Sequence, residues 1–129
     1  MNHSEMEKLS KKGLDAKLPN LEYFKSQFKN YKITLHVPEY TSMCPKTGLP
    51  DFGVITLIYI PDQWCVELKA FKYYIHGYRN LGISYENAVN RILKDFVSAV
   101  KPKWALIKGE FTPRGGIRST IESEYKKNK

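Results

Sequence analysis

Hydrophobic and polar positions alternate strictly along YKITLHV (31–37), where Ile33, Leu35 and Val37 are set against Thr34 and His36. A two-residue period is that of a strand with one wetted face. In GVITLIYI (53–60) both parities are apolar, which predicts a strand covered on both sides. PDQW supplies a turn, and WCVEL alternates again, with Trp64, Val66 and Leu68 on one face and Cys65 and Glu67 on the other. From Leu68 the period changes. Leu68, Phe71, Ile75 and Tyr78 are spaced 3, 4 and 3, an apolar helical stripe that ends near RNLG. Lys69, Lys72, His76 and Arg79 repeat the spacing as a basic stripe on the opposite face. A second helix starts after Ser84, an N-cap residue, turns Ala88, Val89, Ile92, Phe96 and Val100 inward, and stops at Pro102. KWALIKGEF and GIRSTIESEY read as two more strands joined by the glycine turn TPRGG.

Three strands, two helices and two strands in this order predict an α+β fold, an antiparallel sheet with both helices on one face. Helices on one face leave the strand at 53–60 without a second cover, which predicts a closed oligomer. Residues 1–28 are polar and mixed in charge, with KLPNLEYF as their apolar patch, and read as an N-terminal arm. Residues 29–125 form the single domain and 126–129, KKNK, a basic tail.

Composition narrows the function. At 129 residues and 42% hydrophobic content, the chain suits one domain with a small core. No apolar run approaches the roughly 18 residues of a membrane span, and the N-terminus lacks the apolar centre of a secretory signal. A soluble cytoplasmic protein with no membrane partner is expected. The net charge of +8 suggests nucleic acid, but the tail alone holds three lysines, and residues 30–125 set twelve Lys and Arg against nine acidic residues. That spread reads as a solvated surface, with no direct nucleic-acid contact. The two cysteines, Cys44 and Cys65, are expected to stay reduced. CxxC and HExxH are missing and the histidines lie far apart in sequence, so no metal is expected.

A lone cysteine is ordinarily a buried small hydrophobe. Cys65, mid-strand, fits that description. Cys44 instead begins CPKTGLPD, a loop with two prolines and a glycine, beside Lys46, which favours a thiolate. Seven residues on, Asp51 is either a turn residue or a proton donor for a group attacked by Cys44, and the second role requires burial to raise its pKa. Glu86 either complements the dipole of its helix or accepts paired hydrogen bonds from a guanine-like edge. Lys69 and Lys72 are either solvated or, with Arg114 from PRGG, a cationic patch for a phosphorylated cofactor.

Taken together, ELKAFKYY (67–74), CPKTGLPDFG (44–53) and PRGG (113–116) resemble the nitrile reductases that convert 7-cyano-7-deazaguanine to 7-aminomethyl-7-deazaguanine in queuosine biosynthesis. The likeness covers residues 29 to 122. It implies that Cys44 is the nucleophile forming a covalent thioimide, that Asp51 is the proton donor, and that Glu86 holds the base while Val66, Glu67 and Leu68 line its pocket. Lys69 and Lys72 belong to the stretch associated with NADPH, two molecules of which serve each turnover. Tyr85 stands where many members have histidine; it is expected to contact substrate, and a phenol does not titrate as an imidazole does. The resemblance also implies the tunnelling fold, in which sheets of several subunits close an oligomeric barrel, here a decamer of two stacked pentamers. Amidine-forming relatives that act on modified tRNA use the same cysteine but lack the lysine pattern. GTP cyclohydrolase I relatives need zinc ligands that have no counterpart here. An RNA-binding module would need aromatic and basic residues together on one sheet face, where these strands are mostly aliphatic.

Overall fold

The computed structural model describes residues 2–128; Met1 and Lys129, the outer ends of the expected arm and tail, lie outside the described residues. The order is α1 (His3–Lys11), β1 (Tyr23–Lys25), β2 (Ile33–Met43), β3 (Pro50–Ile60), β4 (Trp64–Val66), α2 (Leu68–His76), α3 (Tyr85–Val100), β5 (Trp104–Phe111) and β6 (Thr120–Lys126). Two elements fall in the arm, where no element was expected. Asn2 caps α1 by accepting from the Glu5 amide at 2.8 Å while its own side-chain amide donates to the Glu5 carboxylate, a reciprocal cap legible in NHSE. β1 pairs antiparallel with β4, Tyr23 opposite Val66.

The main sheet runs β2-β3-β5-β6, antiparallel throughout. β2 is longer than the predicted 31–37. The chain passes Pro38 through a bulge, in which Pro38 and Glu39 together face Val54, since Val37 pairs with Ile55 and Tyr40 with Gly53. An edge strand tolerates proline at such a bulge. On β3 the odd positions Ile55, Leu57 and Tyr59 are buried, whereas Phe52 and Val54 on the other face are 53% and 37% exposed. Within one chain, then, the apolar strand is covered on one side.

The helices provide that cover. Ala88, Val89, Ile92, Phe96 and Val100 are all buried, each large side chain contributing about 1.5–3 kcal/mol. On α2 the inward stripe is Phe71, Tyr74 and Ile75, and Tyr78, in the turn that follows, is buried beside them; Leu68, expected to be part of the stripe, is 63% exposed. Leu68 opens the first turn, and Tyr74 takes up the buried arc one turn further on. Three buried phenols are paired: Tyr74 donates to Asp95 at 2.6 Å and meets the Tyr78 hydroxyl at 2.7 Å, and Tyr59 accepts from the Val66 amide at 3.1 Å; the Tyr40 hydroxyl, equally buried, has no hydrogen-bond partner among the described residues. α3 ends at Lys101, whose φ of 51° breaks the helix before Pro102. No helix among the described residues is long and apolar enough to cross a membrane.

Candidate active site

The bulge in β2 decides where Cys44 points. Before it, Ile33, Leu35 and Val37 face the helices; after it, Tyr40 and Ser42 do. One extra residue exchanges the two faces, so Cys44, two residues beyond Ser42, continues the helix-covered side. Ser42 pairs across the ladder with Asp51. Asp51 is therefore not in the turn but in β3, and it is buried, 4% exposed. The turn itself is residues 44–49, closed by the Cys44 amide on the Leu49 carbonyl and the Gly48 amide on the Cys44 carbonyl, both at 2.8 Å.

Two further segments reach this spot. After β5, the Thr112 amide bonds the Phe52 carbonyl at 3.0 Å, and Arg114 and Ile117 then close a two-residue turn. Its central residues, Gly115 (φ 55°) and Gly116 (φ 79°), both take the left-handed conformation that such a turn demands. Arg114 is thereby laid against the Pro50 carbonyl at 3.3 Å and forms an ion pair with Asp51 Oδ1. From the other side comes Tyr85, the first residue of α3, which is capped by Ser84 accepting from the Asn87 amide at 3.2 Å. The Tyr85 hydroxyl donates to the same Oδ1 at 3.2 Å, and its ring stacks on Phe111, centroids 4.0 Å apart and planes 10° apart. Phe111 lies flat over two glycines of the sheet: a Cβ would sit 2.7 Å from the ring at Gly53 and 2.9 Å from it at Gly109.

Partial burial pushes the Cys44 thiol up. The Thr47 hydroxyl, the Thr47 and Lys46 amides and the Arg114 guanidinium together outweigh that effect, and lower it from the ordinary 9.0 to about 7. Burial raises Asp51 above its ordinary 3.8, against the opposing pull of Arg114 and Tyr85. The thiol is thus shifted toward its thiolate and the carboxyl toward its acid, the directions that a nucleophile and a proton donor would each require.

Of the residues singled out in the sequence, the structure brings together Cys44, Asp51, Tyr85 and Arg114, with Glu86 next to Tyr85 on the first turn of α3. The Glu86 side chain is exposed and has no hydrogen-bond or ion-pair partner among the described residues. The other group lies elsewhere in the chain. Val66 sits at Tyr59, and the eight residues from Asp51 to Tyr59 span roughly 26 Å of extended strand. Glu67 caps α2, accepting from the Lys69 amide at 2.9 Å and the Ala70 amide at 2.7 Å, which keeps its carboxyl below the usual range. Leu68, Lys69 and Lys72 are exposed on α2. Arg114 does not join these lysines, since its contacts are Cys44, Asp51 and Pro50. Lys72, His76 and Arg79 instead line an open cavity of about 570 Å³ between α2 and β2, which Glu39 also lines; the lysine and arginine are donors suited to phosphate. Among the described residues no cluster of His, Cys, Asp and Glu could hold a metal ion. Sequence reasoning missed Thr47 and Phe111. The glycines at 53 and 109, otherwise costly inside strands, were the signal that an aromatic ring lies across them.

A family model described as QueF-like protein matches residues 50–129. A curated protein named NADPH-dependent 7-cyano-7-deazaguanine reductase, from Elusimicrobium minutum, is 56% identical over 92% of this chain and 90% of its own. Another of the same name, from Chloroherpeton thalassium, is 54% identical over 84% of this chain and 96% of its own. Among solved structures, the apo form of the archaeosine synthase QueF-Like superposes with a TM-score of 0.70 at 21% identity, over 75% of this chain and 95% of that one; this likeness shows the shared α+β tunnelling fold. By the matched length and by these identities, the chain belongs to the QueF-like family.

Proposed function

We propose that this chain is a cytoplasmic oxidoreductase of queuosine biosynthesis that reduces the nitrile of 7-cyano-7-deazaguanine (preQ0) to the aminomethyl group of 7-aminomethyl-7-deazaguanine (preQ1) with NADPH. The names of its relatives support the substrate and the reductant. The observation that carries the chemistry is the convergence on Cys44 of groups that favour a thiolate, beside a buried carboxyl with a raised pKa.

A nitrile carbon accepts hydride poorly until a soft nucleophile has added to it. The Cys44 thiolate attacks that carbon, a C–S bond forms as one C–N π bond opens, and Asp51 gives its proton to the nitrogen, leaving a neutral thioimide. Arg114 and Tyr85, both on Oδ1, then hold the Asp51 carboxylate. Glu86 accepts from the guanine-like edge of the base and fixes its orientation. Lys69, Lys72 and His76 of α2, with Arg79 just beyond its end, would hold the phosphates of NADPH, which when bound supplies one hydride to each of the two reductions. Cys44 leaves as thiolate once its carbon is reduced, and the imine that remains must be kept from water, which would hydrolyse it.

One chain does not bring Leu68 and Lys69 to Cys44, so we infer that the site is completed between subunits. The half-uncovered β3 face and the free edges of β2 and β6 are consistent with a closed barrel, a decamer of two stacked pentamers. The test of the chemistry is intact mass after mixing protein and nitrile without NADPH. The mass is expected to rise by that of the substrate, and not to rise in Cys44→Ala, which still binds the base. A protein that binds the nitrile and gains no mass has no covalent route.

A further inference from the structure

Tyr85 and Glu86 depend for their position on the residues that precede them. The segment before them, residues 81–83, is gripped on one side by the strand that carries the nucleophile: the Met43 amide bonds the Leu81 carbonyl at 2.9 Å, the Ile83 amide bonds the Met43 carbonyl at 3.0 Å, and Met43 bridges Gly82 in parallel fashion. Its other side is covered by the N-terminal arm. Gly13, at φ +88°, lies so close that a Cβ would fall 2.7 Å from the Ile83 Cβ and 2.8 Å from the Gly82 carbonyl oxygen, and the Lys12 side chain lies over Gly82.

The arm is tied down further along by β1 on β4 and by Leu18 and Leu21 on the core, but residues 2–16 have little else to hold them there. α1 buries none of its residues, and a helix of nine residues is not stable on its own. Polar ties from α3 fasten it. Asn87 donates to the Ser10 carbonyl at 2.7 Å. Arg91, one turn further along the same face, spends all three guanidinium nitrogens at once: Nε on Asp95 at 3.2 Å, Nη1 on the Gly13 carbonyl at 2.5 Å, and Nη2 on the Ala16 carbonyl. Its side chain is 11% exposed, so these bonds are made in a largely dry setting where they are strong.

We propose that residues 10–16 of the arm are a clamp that sets Tyr85 and Glu86 against Cys44 and Asp51, with Arg91 as the positioning residue that closes it. Arg91 touches neither substrate nor reacting atoms. It acts by pressing Gly13 onto Ile83, which leaves the segment between Met43 and the Ser84 cap a single position. This rests on the reading of Glu86 as the group that holds the base. Because α1 buries nothing, the clamp contributes more to placement than to stability, and loosening it releases the base-binding carboxylate while Cys44 keeps its own hairpin, Thr47 and Arg114.

The test uses the full chain with Gly13→Ala, Arg91→Ala or Arg91→Lys. Affinity for the nitrile base is measured without NADPH in a Cys44→Ala background, and the iodoacetamide rate of Cys44 and the melting temperature are measured in the single variants. Gly13→Ala and Arg91→Ala are expected to weaken base binding by about tenfold or more, the scale of a misplacement on the order of 1 Å, with the alkylation rate unchanged. Arg91→Lys, whose single ammonium can serve one carbonyl, is expected to fall between. Should Arg91→Ala fail to fold, since it leaves Asp95 with the Tyr74 hydroxyl but no cation, Gly13→Ala still decides. Unchanged affinity overturns the clamp, and so does a parallel fall of affinity, alkylation and melting temperature, the mark of a merely structural part. Adduct formation by the unmodified protein separates the two ideas: without it both the reaction and the clamp fall, and with it a negative result removes the clamp alone.

Discussion

The Thr47 hydroxyl, the Lys46 and Thr47 amides and the Arg114 guanidinium all favour the Cys44 thiolate, and its reactivity should report each of them. We expect its alkylation by iodoacetamide to rise with pH through about 7. In Arg114→Leu the inflection should move upward, because loss of a donor and a positive charge disfavours the thiolate; an inflection that stays put would separate Arg114 from the sulfur. Cys65 serves as the internal control, since it is buried with its sulfur against the Tyr31 hydroxyl at 3.2 Å, and it should label only on unfolding. Tyr85→Phe keeps the stack on Phe111 and removes the bond to Asp51. A hydrogen bond to a charged group is worth roughly 1.5–3 kcal/mol, so the rate of adduct formation should fall about tenfold or more with base affinity little changed. The lost donor also raises the Asp51 pKa, so whichever limb of the pH profile belongs to that acid should shift to higher pH. Glu86→Ala should instead weaken base binding by roughly 2–5 kcal/mol, read by titration calorimetry; an unaltered affinity would leave Glu86 with its dipole role alone.

At the level of elements, the glycines under Phe111 make a direct test of how the phenol is aimed. Gly109→Ala places a methyl 2.6 Å from Val89 Cγ2 as well as against the ring. Such overpacking costs roughly 1–3 kcal/mol, measured by denaturant unfolding, and by tilting Phe111 it should also slow adduct formation. Most of the elements were legible in the sequence, because periods of 2 and 3.6 follow directly from burial on one face. What was not legible depended on single residues that reset a pattern. The bulge at Pro38 and Glu39 carries β2 six residues past its expected end and exchanges its faces, and no periodicity extends through an inserted residue. The turn reading of Asp51, one of the two that its sequence left open, came from the proline before it, which marks turns; β3 takes it instead. Arg114 was grouped with the lysines by charge alone; only the paired glycines after it and the Thr112 bond to β3 show which carboxylate it meets. α1 and β1 went unread because the arm buries little, although the Asn2 and Glu5 pair at its start was there to be seen.

On the scale of the whole molecule, the decisive quantity is the distance along β3 between the Asp51 end, beside Cys44, and the Tyr59 end, from which α2 and its lysines set out. If the protein assembles as proposed, sedimentation should show a species well above the 15.0 kDa of one chain. Dilution that dissociates it should abolish turnover while Cys44 remains open to iodoacetamide, because the thiol's own surroundings come from a single chain. A sharper consequence follows for crippled proteins. Cys44→Ala lacks the nucleophile and Leu68→Asp spoils the opposite wall, so each alone should be dead. When the two are unfolded together and reassembled in equal amounts, chance places an intact sulfur beside a neighbour's intact wall at about a quarter of the junctions of a cyclic assembly. Two inactive preparations should thus yield an active hybrid by complementation.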